Sequence, residues 1–166
     1  AHPRREQNDP PRESGANSDW AAEMFTPSRE QVREFFFEAW RKYREGVPLA
    51  GLEKIALEVM LQHPEYHDAM AHPERFRERE YFPELGETNP FLHMSLHLAI
   101  EEQLSIDQPT GVREQFAALV AHRADRHKAL HEALECLAEM VWRSQRDRAP
   151  PDAAAYLACI GPRARD

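Results

Sequence analysis

Cysteine is scarce: the 166 residues hold two, Cys136 and Cys159. Two are too few for a disulfide scaffold, and their spacing matches neither a zinc ribbon nor a Cys-x-x-Cys redox pair. They read as reduced thiols. No apolar run approaches the ~18 residues that span a bilayer, and the amino end has no apolar signal-peptide core, so the chain is expected to be soluble and cytoplasmic. Positive charge is short too. With 21 Lys+Arg against 29 Asp+Glu the net charge is -8, which argues against a broad nucleic-acid surface. Strand-type alternation is missing throughout, so no strand is predicted. No Ser/His/Asp ordering stands out, and Cys136 beside Glu135 gives little support to covalent catalysis.

What remains is one domain's worth of helix. Residues 1–23 are rich in Pro, Arg, Glu, Asn and Asp and hold little that is apolar beyond Trp20. Such a composition cannot offset its own ordering entropy. It is expected to be an extension, with Trp20 as the anchor for a protein partner. A single helical-bundle domain is placed at 24–160, and 161–166 form a short tail. The first helix starts at Thr26 or Ser28, with Ser28-x-x-Gln31 as a capping box, and ends near Arg44 before Gly46. A second covers Pro48 to Gln62. Residues 75–87 read as a charged loop. Asn89-Pro90 opens a third long helix to about Ser105; Gly111 to Arg123 gives a fourth, and Asp125 caps a fifth running to about Arg146. An unbroken helix over 111–146 is the alternative. Pro150-Pro151-Asp152 starts a closing helix to Ile160. The fold class is all-α, a bundle of four to five main helices with a short C-terminal one.

Nine histidines are present, and six fall in three clusters, 63/67, 93/97 and 127/131. Two of these belong to the same triplet, His-x3-His-x3-Glu: His93, His97, Glu101 and His127, His131, Glu135. A shuffled chain of this composition would show such a triplet roughly 0.06 times. Residues four apart share a helix face, so each triplet is a stripe of two imidazoles and a carboxylate. If the two helices run antiparallel, the middle histidines face each other and each glutamate lies opposite the other helix's first histidine. That makes a quasi-symmetric pocket for one or two metal ions.

The first stripe is embedded in Phe91, Leu92, Met94, Leu96, Leu98, Ala99, Ile100 and Leu104, which leaves almost no polar side to that helix. Imidazoles buried there must be hydrogen-bonded, shifted in protonation or metal-bound. The candidate ligands are therefore His93, His97, Glu101, His127, His131 and Glu135, with Glu58, His63 and His67 placed to complete the site. His63 and His72 each precede a proline, so they mark helix boundaries first. His72 and His122 read as structural or exposed.

Met24-Phe25-x-Pro27-Ser28-Arg29-Glu30, His63-Pro64-Glu65-Tyr66-His67, Asn89-Pro90-Phe91-Leu92-His93-Met94-Ser95 and Glu101-Glu102-Gln103 carry a family likeness. On these motifs the chain, over roughly 24–160, resembles the proteobacterial family catalogued as domain of unknown function 1841. The resemblance implies a bacterial cytoplasmic protein and supplies no activity. In pattern alone, paired His-x3-His and His-x3-Glu are similar to hemerythrin-type and other non-haem di-iron bundles. The chain departs from the ferritin-like subset, since no suitably placed pair of Glu-x-x-His motifs is found.

The leading expectation is a metal protein with mixed imidazole and carboxylate ligands, suiting iron, manganese or zinc. Iron is favoured because carboxylates from facing helices can bridge two ions, which would point to oxygen or peroxide binding, sensing or oxidation. Zinc would point to hydrolysis through an activated water. The rival is an interaction module, docked to a larger assembly, in which the stripes satisfy each other as a buried hydrogen-bond network.

Overall fold

The computed structural model describes residues 28–165, and within them the secondary structure is helical, with no strand. The 1–23 extension and its proposed anchor Trp20 therefore lie outside the described residues. The helices are α1 (Arg29–Glu45), α2 (Leu52–Leu61), α3 (His67–Ala71), α4 (Pro73–Phe76), α5 (Pro90–Ile106), α6 (Val112–Arg123), α7 (Arg126–Asp147) and α8 (Ala153–Arg163). None is long and apolar enough to cross a membrane.

Local chemistry explains most of the boundaries. The capping box forms as expected: Ser28 Oγ accepts from Gln31 N–H while Gln31 Oε1 accepts from Ser28 N–H. Asn89 accepts from the N–H groups of Phe91 and Leu92 to start α5, and Asp125 accepts from Lys128 N–H to start α7. Gly46 closes α1 at φ 70. Helix α2 begins at Leu52 rather than near Pro48, because Gly51 takes φ 57, ψ -128 just before it, a conformation open to glycine and outside the helix. The unbroken 111–146 helix does not form. Ala124 turns left-handed at φ 54, and Asp125 restarts the chain as a new helix. The charged loop at 75–87 holds the end of α4 and a short 3-10 turn at Pro83–Leu85.

Two apolar clusters form the core. One gathers Phe36, Phe37, Trp40, Val59, Met60, Met70, Phe76, Phe91 and Met94 from α1–α5. The other gathers Ala99, Ile100, Phe116, Leu119, Leu130, Ala133, Leu137, Tyr156 and Ile160 from α5–α8. Helix α5 belongs to both, its first half to one and its second half to the other, as its nearly all-apolar surface requires.

Cys136 and Cys159 are not the reduced thiols expected from their number and spacing. They form a disulfide that ties α7 to α8 across 23 residues, with their Cα atoms 5.8 Å apart. Count and spacing identify disulfide frameworks in small secreted domains, but a single bridge between two facing helices has no signature of that kind.

Candidate metal centre

Four imidazoles converge where the two apolar clusters meet. His63 follows α2, His93 and His97 lie on α5, and His131 lies on α7. One ring nitrogen from each falls within 4.8 Å of all the others, a grouping able to hold a metal ion. Ring centroids are 4.7 Å apart for His63 and His97, 5.1 Å for His63 and His93, 5.5 Å for His97 and His131, and 5.7 Å for His93 and His131. Nε2 of His97 faces Nε2 of His93 at 3.1 Å. Around a tetrahedral ion with bonds of about 2.0 Å, neighbouring nitrogens would stand about 3.3 Å apart.

Each ligand candidate is set by its backbone. His63 precedes Pro64, which holds it out of the helical region at φ -126, ψ 68. Its Nδ1 donates to the Val59 carbonyl, one turn back on α2, at 2.7 Å. In the neutral ring that leaves Nε2 with its lone pair directed onward. The ring also stacks on Tyr66, nearly parallel at 5.4 Å. A histidine fixed through one nitrogen by a carbonyl is the usual way to aim the other at a metal. His93 and His97 sit one turn apart on α5, so their rings reach the same side.

The site is deep on one side and shallow on the other. His97 and His63 are 1% and 4% exposed, whereas His93 and His131 are partly exposed. Burial, joined by the neighbouring imidazoles, pushes the proton affinity of His97 down to about 3. Burial also lowers His93, with His63 and His131 adding to the effect and Glu65 opposing it. His131 is lowered by burial and by His127 and His63. All three are neutral at pH 7, the form in which imidazole binds metal. Two buried nitrogens of the group, His63 Nε2 and His131 Nε2, have no hydrogen-bond partner. Buried polar atoms are rarely left so, and each such atom calls for an explanation.

The other sequence candidates stand apart from this group. Glu101 receives both of its hydrogen bonds from Arg126, at 3.1 Å each. Glu135 accepts from Arg163 of α8 at 2.7 Å. His127 is exposed, its ring 4.3 Å from that of His131. His67 hydrogen-bonds the Met60 carbonyl at 2.7 Å and packs on Trp40 at 4.5 Å. Glu58 is exposed on α2. The antiparallel arrangement is visible in the contacts: Glu101, late in α5, meets Arg126, early in α7, while the earlier His93 and His97 meet the later His131. The arginine partners and the Tyr66 stacking surface escape sequence reasoning, because they are tertiary neighbours with no helical spacing to announce them.

Fold and site together define an all-helical bundle with a cluster of four histidines between its two cores. The chain belongs to the family described as Domain of unknown function (DUF1841), whose model matches residues 28–162. No curated protein and no solved structure matches it.

Proposed function

We propose that this protein binds one divalent transition-metal ion through His63, His93, His97 and His131. The observation that carries the reading is the convergence of four ring nitrogens within 4.8 Å, two of them buried without a partner. A bound ion would give both lone pairs an acceptor. It would also remove the opposition of two Nε2 atoms on His93 and His97, one of which must otherwise carry a proton toward the other. A self-satisfied hydrogen-bond network leaves the His63 and His131 nitrogens unaccounted for.

The donor set bears on the metal. The argument for iron needs carboxylates that bridge two ions about 3.5–4 Å apart, yet the two stripe glutamates are engaged by arginines and the four converging groups are all imidazoles. Four neutral nitrogens suit a single ion, and zinc, which takes four ligands without a preference imposed by d-electrons, is the best match. Iron is the second choice. When bound, such an ion would supply a cross-link between α2, α5 and α7. A shell filled by four imidazoles gives the hydrolytic reading no argument, since a catalytic zinc keeps a position open.

The test is elemental analysis of protein purified without added metal, followed by titration of chelator-treated protein with zinc chloride. We expect about one equivalent bound, with loss of binding in a folded His97→Ala variant. Chelator-treated protein that takes up no zinc, cobalt or iron would overturn the proposal.

A further inference from the structure

We infer that His127 is the residue through which the ion enters and leaves, an outer imidazole that hands metal to His131. The inference rests on the proposed four-histidine centre and adds a function to the one histidine of the stripes that lies outside it. Two members of the centre, His63 and His97, are sealed in the interior, and the partly exposed members are His93 and His131. An ion arriving from water must therefore meet His93 or His131 before the other two.

On the His131 side an additional imidazole is waiting. His127 is exposed, lies one helical turn before His131 on α7, and holds its ring 4.3 Å from the His131 ring. Helical side chains lean toward the N-terminus of their helix, so the His131 ring is inclined toward His127. His131 in turn stands 5.7 Å from His93 and 5.5 Å from His97. The rings thus form a graded line from solvent to interior.

Exchange of a four-coordinate ion is fastest when an incoming ligand takes hold before the others have let go, because the ion is never stripped of most of its donors at once. An exposed imidazole beside a partly exposed resident ligand provides that overlap. The surrounding charges are compatible with this path. Arg126, next to His127 in sequence, would repel an approaching cation, but the Glu101 carboxylate engages its guanidinium with both oxygens. The ligand served is a divalent ion, free or in a weak complex, and the consequence is a centre that exchanges its metal instead of sealing it in.

The experiment is stopped-flow uptake and release of zinc, using zinc chloride and a chromogenic chelator, on the full chain and on His127→Ala, with His122→Ala as an exposed control. Equilibrium affinity is measured in parallel. Uptake and release in His127→Ala should both slow by about tenfold while affinity stays within about twofold. Unchanged rates in His127→Ala would overturn the inference, as would a loss of affinity of about tenfold or more, which would make His127 a resident ligand. Failure of the underlying site shows itself separately, as the absence of zinc binding by the unaltered protein.

Discussion

A buried imidazole with nothing to accept its proton or use its lone pair is costly, and at the scale of single residues this fact organises the site. The effect of acid follows from it. In the metal-free protein His97 is protonated only near pH 3, against an ordinary value of 6.5, so between those values the unfolded chain binds a proton that the folded chain refuses. Stability therefore rises with pH across that window. It is fully present above about 6.5 and is lost as pH falls toward 3, and the lowered His93 and His131 act in the same direction. Thermal melts with chelator at pH 7 and pH 5 should show a lower midpoint at pH 5, with a smaller drop in His97→Gln. Equal drops in the two proteins would count against it.

Two further substitutions separate ligands from bystanders. His63→Ala removes a nitrogen aimed by the Val59 carbonyl and should weaken zinc binding by about tenfold or more. Glu101→Gln breaks only the pairing with Arg126, whose side chain is half exposed. It should cost at most about 1 kcal/mol of stability and leave zinc binding intact. If Glu101→Gln weakens zinc as much as His63→Ala does, the carboxylate belongs to the centre. The two stripes were legible as sequence because a period of four places residues on one face whatever surrounds them. Which members would converge was not, since Arg126 and Arg163 withdraw the glutamates through tertiary contacts.

Helices supply the next level. Their starts were readable because Ser28, Asn89, Asp125 and Asp152 carry side chains that accept from N–H groups of the first turn. Most ends also fell within one residue of expectation, although Asp107, Ala124 and Arg148 close helices in left-handed conformations without glycine, and of these only aspartate is a type enriched in that region. Helix α8 runs on to Arg163, past the expected stop at Ile160. The bridge from Cys136 to Cys159 fixes that helix to α7. Closing a loop of 23 residues restricts the unfolded chain, and reduction should lower stability to urea by about 2–4 kcal/mol. An unfolding curve unmoved by reductant would contradict a stabilising role for the bridge.

On the scale of the molecule, two apolar clusters share α5, and the histidines occupy the boundary between them. His63 is delivered by the end of α2 from one side and His131 by α7 from the other, so an ion held there would fasten the two halves together. Binding only to the folded state must then stabilise the whole fold by mass action, about 2.7 kcal/mol at a zinc concentration a hundredfold above Kd. All-α architecture was apparent from periodicity alone, whereas the division into two clusters was not, because it depends on how α5 is shared. X-ray absorption at the zinc edge of the loaded protein bears most directly on the account. It predicts a nitrogen shell at about 2.0 Å with outer scattering from about four imidazole rings. An oxygen-dominated shell with two rings or fewer, or a metal–metal distance of about 3.5 Å, would contradict it.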